Sequence, residues 1–145
     1  MLELTEPAVT VVLCMARPEV LDRLVETTPG ESCRCARDEL LLLSFDDGVD
    51  ALPDGDLGAE GLVLDATGGY AVFSLQGDRA TDALARLSSI PPPATLPAFV
   101  QGAIAHVPGK ALVRDARLDV IVSSVHADYV RRRILAACAD LGIRG

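Results

Sequence analysis

The sequence predicts an α+β protein built from two pseudo-repeated, ferredoxin-like β-α-β-β halves, with mixed or antiparallel sheet and helices packed on one side. Three observations carry that reading. A strand-like run feeds a helical stripe and then two more strand-like runs twice, once from Val9 and once from Tyr70. Half of the residues are hydrophobic and only 3% are aromatic, so the core is aliphatic, a composition suited to packing helices on sheet. Between the repeats lies an acidic, glycine-rich stretch, 46–61, with the composition of a solvated connector. The 145 residues therefore read as a single domain with halves at about 1–61 and 62–145.

Val9-Thr-Val-Val-Leu-Cys-Met is β-branched and apolar, the pattern of a buried strand. Pro18 suits the first turn of a helix, where its missing N–H costs nothing, and Glu19 favours the positive end of the helix dipole. Val20, Leu21, Leu24 and Val25 then recur at helical spacing and predict a helix over 18–28, stopped by Pro29-Gly30. A short strand is expected over 32–36 and a stronger one over 39–45, where consecutive leucines at 40–43 imply that both faces are covered. The connector has room for one helical turn at 49–52.

Runs over 62–67 and 70–75 flank Gly68-Gly69, a hairpin signal because a glycine pair supplies the positive φ of a tight turn. Ala80, Ala83, Leu84 and Leu87 fall at i, i+3, i+4 and i+7 and predict a helix from Arg79 to about Ile90, which Pro91-Pro92-Pro93 must end. A strand over 99–107, a turn at Pro108-Gly109-Lys110 and strands over 111–114 and 118–122 follow. Ser123 or Ser124 is expected to cap a last helix, roughly 125–141, with Val130, Ile134, Leu135, Cys138 and Leu141 buried and Gly142 as the stop.

Charge excludes one large class of partner. Thirteen Lys+Arg against 21 Asp+Glu give a net charge of −8, a field of the wrong sign for nucleic acid. The five rings, Phe45, Tyr70, Phe73, Phe99 and Tyr129, are too few for base-stacking platforms or aromatic cages. Met1-Leu-Glu-Leu-Thr-Glu-Pro lacks the basic start of a secretory signal, and no apolar run approaches the roughly 20 residues that cross a bilayer. No membrane contact is expected. Cys14, Cys33, Cys35 and Cys138 follow no disulfide-framework spacing, which points to a reduced, cytoplasmic setting.

The residues that carry chemistry form no catalytic set. His106 and His126 have no Ser or Cys nucleophile in a recognisable motif, and both read as structural or surface residues. Cys33-x-Cys35 with Cys14 offers three thiols to a metal but no fourth ligand, and Cys14 and Cys138 read as small core hydrophobes. The aspartates of the connector lack calcium-loop register. Gly55, Gly58 and Gly61 sit among acids that repel phosphate. Arg131-Arg132-Arg133 is the one basic cluster. On a helix it fans across about 200° and is first of all solvated surface, and secondarily a candidate contact for an acidic partner.

Residues 65–90, Asp-Ala-Thr-Gly-Gly-Tyr-Ala-Val-Phe-Ser-Leu-Gln-Gly-Asp-Arg-Ala-Thr-Asp-Ala-Leu-Ala-Arg-Leu-Ser-Ser-Ile, resemble the middle of a sarcosine oxidase gamma subunit. The matching positions are Asp65, Phe73, Leu75, Gly77, Ala80, Leu84, Leu87 and the segment from Ser88 to Pro91. Arg37-Asp-Glu-Leu-Leu-Leu-Leu is similar to that family's Gly-Pro-Asp-Glu-Trp-Leu-Leu strand. Leu118-Asp-Val-Ile-Val-Ser-Ser-Val-His-Ala-Asp-Tyr-Val is similar to its last strand and helix start. The chain departs from the pattern where Leu40 replaces Trp and where Ser88 and Pro91 or Pro92 replace the Cys and Asp of a turn.

The resemblance implies a fold like the folate-binding domain of aminomethyltransferases. It also implies a non-catalytic subunit that binds no cofactor itself and assembles with larger oxidase subunits carrying FAD, FMN, NAD and tetrahydrofolate. Arg131, Arg132 and Arg133 are then the partner-interface candidates. One alternative is a stand-alone domain that binds one-carbon folates, for which Asp65 would hold the pterin and Arg114 the glutamate tail. Another is a regulatory domain that associates with itself.

Overall fold

Leu2 and Leu4 alternate with Glu3 and Thr5 and form a first short strand, β1 (Leu2–Thr5), which the sequence did not announce. The computed structural model describes residues 1–28, 30–45 and 57–145. Within it the chain divides into two compact units, Ala8–Gly68 and Met1–Pro7 together with Gly69–Gly145. The division thus falls at Gly68 and Gly69 instead of at 61 and 62, and β1 belongs with the C-terminal unit. The α+β class with helices on one side of each sheet is as expected. No helix among the described residues is long and apolar enough to cross a membrane.

In the unit Ala8–Gly68 the elements are β2 (Thr10–Ala16), α1 (Pro18–Thr27), β3 (Glu31–Ala36), β4 (Glu39–Ser44) and β5 (Gly61–Asp65). The sheet order is β3-β4-β2-β5 and all its pairs are antiparallel, the strand order of a ferredoxin-like half. Val12, Cys14, Leu40, Leu42 and Val63 share one sheet face and meet Leu21 and Leu24 of α1. Leu41 and Leu43, on the other face, are also fully buried, as the leucine run implied. Gly30 follows α1 with φ +98°, and a Cβ there would lie 2.8 Å from the Leu43 carbonyl oxygen, so only glycine fits. The helical turn expected at 49–52 lies outside the described residues. A short 3-10 turn, Gly58–Glu60, leads into β5.

The second unit adds β6 (Tyr70–Gln76), α2 (Ala80–Leu87), β7 (Ala98–Ile104), β8 (Val107–Val113), β9 (Arg117–Ser123), α3 (Ala127–Ala137) and β10 (Ile143–Arg144) to β1. Its sheet runs β10-β1-β6-β9-β8-β7, with β1 and β10 parallel and the other pairs antiparallel. Leu4, Phe73, Leu75, Val113, Leu118 and Val120 point to one face, where Ala83, Leu84 and Leu87 of α2 and Val130 and Ile134 of α3 cover them. Gly77 turns β6 towards α2 at φ +143°, and a Cβ there would lie 2.2 Å from the Met1 carbonyl oxygen.

Four expectations are corrected. No hairpin joins 62–67 to 70–75: β5 pairs with β2, while β6 pairs with β1 and β9. The β2–β5 ladder persists to its end because the Ala66 N–H donates to the Val11 carbonyl (2.9 Å) and the Val11 N–H donates to the Thr67 hydroxyl (3.0 Å). Gly68 and Gly69 then lie in a 3-10 turn without positive φ. Second, the β7–β8 turn is Ala105-His106, with φ +52° and +70°, and Pro108 and Gly109 lie within β8. Pro108 precedes Gly109, the first β8 residue paired with β9, so its missing amide takes nothing from that ladder. Third, α2 stops at Leu87, where extended Ser88 donates its N–H to Leu84 (2.9 Å). Fourth, a 3-10 turn, Ser124–His126, opens the last helix without a side-chain cap from Ser123 or Ser124. Leu135 is 37% exposed, off the buried stripe, whereas Gly142 stops the segment at φ +71° as expected.

Candidate functional site

Strand alternation sends Phe73 and Leu75 to the helix-covered face and so turns Ser74 to the other. Asp119 on β9 is the residue directly opposite Ser74 and is fully buried. The Ser74 hydroxyl donates to the Asp119 carboxylate. Arg114, just after β8, donates to the Asp119 carboxylate from Nη1. Arg117 donates from Nε to both carboxylate oxygens, at 3.1 and 3.0 Å, and from Nη2 to the Ser74 hydroxyl at 3.3 Å. A buried carboxylate is tolerable only with such compensation. This cluster was missed, although a single Asp inside Leu118-Asp-Val-Ile-Val was a legible signal: an acid in an apolar strand needs a partner.

The folate candidates are not brought together within one unit. Asp65 closes β5 in the N-terminal unit and is exposed, not buried. Its carboxylate accepts the Thr67 N–H at 3.0 Å, and that bond with the Thr67 hydroxyl holds its carboxyl below the ordinary aspartate range. Arg114 belongs to the C-terminal unit and its guanidinium is engaged by Asp119.

The arginine run is divided by the helix. Arg131 makes a two-point contact with Glu6, at 2.8 and 2.7 Å, reaches Asp128 at 3.3 Å, and lies 5.9 Å from the centre of the Phe73 ring. Arg132 pairs with Asp128 at 3.0 Å and is the exposed member. Arg133 is half-buried, with a buried Nε that has no hydrogen-bond partner.

Other candidate chemistry is dispersed. His106 Nδ1 is 3.1 Å from the Tyr129 hydroxyl, on the exposed β7–β8 turn. Among the described residues no group of three or more His, Cys, Asp or Glu is placed to hold a metal ion. Cys14 and Cys138 are core residues whose thiols burial pushes up, Cys138 to about 11. Ser74 has a carboxylate but no histidine beside it among its contacts, so it lacks the base that activates a serine.

No protein-family model matches the chain, and no curated protein matches it by sequence. Among solved structures it is similar to heterotetrameric sarcosine oxidase from Corynebacterium sp. U-96, with 16% identity and a TM-score of 0.77 over 99% of this chain and 87% of that one. It is also similar to the regulatory subunit of aspartate kinase from Thermus thermophilus, with 13% identity and a TM-score of 0.51 over 94% of this chain and 97% of that one. At these identities the likeness establishes a shared fold.

Proposed function

We propose that the chain is a non-catalytic subunit resembling the gamma subunit of heterotetrameric sarcosine oxidase, supporting a flavin- and folate-dependent complex that oxidises an amine. The observation that carries this reading is the similarity to heterotetrameric sarcosine oxidase along 99% of the chain. The sequence resemblance over 65–90 supports it from an independent direction. The larger subunits would hold FAD, FMN, NAD and tetrahydrofolate, and the setting would be cytoplasmic. Arg132, the most exposed of the three arginines, is where an acidic partner surface would meet α3.

Co-expression with the larger subunits of a heterotetrameric sarcosine oxidase tests the proposal. Elution of the chain in one peak with the larger subunits is expected, and elution of the chain alone counts against it. The likeness to the regulatory subunit of aspartate kinase is compatible with a second reading, a self-associating regulatory domain. A homodimer that ignores the oxidase subunits would support that reading. The folate-binding alternative predicts heat on titration of the isolated chain with formyltetrahydrofolate.

A further inference from the structure

Beyond Leu87 the chain turns through Ser88, Ser89 and Ile90 into Pro91-Pro92-Pro93, a segment whose prolines fix φ and leave it stiff. Between this segment and α2 lies a cleft of about 390 Å³. That volume falls in the range of small-ligand sites. Its apolar lining includes Leu84, Ile90, Leu96 and Val113, of which Leu84 and Val113 are themselves core residues. Thr81 and Asp115 bring polar groups to the same space, and Asp115 is the only charged residue lining it.

The charge arrangement selects the ligand. In the same unit Asp82, Asp128 and Asp140 each pair with an arginine. Asp115 pairs with no cation among the described residues. An anion would meet this carboxylate and a chain of net charge −8, so its approach is disfavoured. A neutral apolar molecule would leave the carboxylate unused. A cation with an apolar body satisfies both features of the cleft.

We propose that this cleft binds a small amphipathic organic cation, an alkyl- or arylalkylammonium whose apolar body lies on Leu84, Ile90, Leu96 and Val113 and whose ammonium meets Asp115. The site is independent of the subunit role proposed above and belongs to the chain by itself.

Titration of the isotope-labelled full chain with phenethylammonium, followed by amide chemical shifts, tests the site. Saturable shifts at Thr81, Ile90 and Asp115 are expected, with a dissociation constant on the order of 1 mM for a ligand this small. Asp115→Asn should weaken binding about tenfold by removing a charge-assisted hydrogen bond. Ala85→Phe, placed on the exposed side of α2, should fill the cleft and abolish binding while leaving distant amides unshifted. Phenylethanol and phenylacetate, the neutral and anionic counterparts, should bind far more weakly. The proposal is overturned if the ammonium gives no saturable shifts, if either counterpart binds as tightly, or if Asp115→Asn leaves affinity unchanged.

Discussion

Asp119 shows how much one residue can constrain. It sits between Leu118 and Val120, whose side chains enter the helix-covered core, so its own carboxylate must face the other way. There it gathers Ser74 from the neighbouring strand and two arginines, and so fixes the β6–β9 register chemically as well as by ladder bonds. Removing one member of a buried charged cluster leaves the others uncompensated. Asp119→Ala is therefore expected to cost about 3 kcal/mol or more in urea unfolding, one of the larger losses a single substitution produces. The contact between Arg131 and Glu6 looks similar on paper but is half exposed, at 38% and 44%. Glu6→Gln should cost within about 1 kcal/mol, since water already screens that pair. If the two variants lose equal stability, burial is not what separates them.

At the scale of elements, the sequence was readable wherever the partner of a residue was close by in the chain. The stripe Ala80, Ala83, Leu84 and Leu87 located α2, and Pro18 located the start of α1. Reading failed where partners were distant. Gly68-Gly69 looked like a hairpin, yet β5 finds its ladder on β2 and β6 on β1 and β9, and no local turn code records that choice. β1 and β10 pair the two ends of the chain and are too short to show a period. The β7–β8 turn was hidden for another reason: Ala105 adopts positive φ although alanine disfavours it, and His106, which tolerates it better, is not among the Gly, Asn and Asp residues that mark such a turn. His106→Gly should then relieve backbone strain and raise stability by about 0.5 kcal/mol, read as a higher midpoint of urea unfolding. A lower midpoint would mean that the contact with Tyr129 outweighs the strain.

Helix α2 is tied to the turn after α3 by Arg86 and Asp140, at 2.8 Å, and this tie depends on pH. Arg86 holds the Asp140 carboxyl below the ordinary aspartate value of 3.8. A carboxyl depressed in the folded state stabilises above its unfolded value, and that contribution is lost as pH falls through the folded one. Stability of the native chain should therefore fall more steeply than that of Asp140→Asn as pH drops below about 4. Parallel pH profiles for the two proteins would show that the tie contributes nothing.

For the whole molecule, the candidate site was less legible than the fold, and for a physical reason. Residue type singles out Asp65, Arg114 and the arginine run, but type does not reveal which charges are already answered. The structure engages Arg114 with Asp119, Arg131 with Glu6 and Arg132 with Asp128. What remains is a two-unit α+β chain that shares its fold, over 99% of its length, with a chain of heterotetrameric sarcosine oxidase. The subunit role proposed above rests on that shared fold, and assembly is its testable consequence. The most direct test is the mass of the particle formed when the purified 15.2 kDa chain is mixed with the larger oxidase subunits, measured by sedimentation velocity. The account predicts that the chain leaves its own boundary and sediments stoichiometrically with the larger subunits, and a chain that keeps its own boundary at every ratio would contradict it.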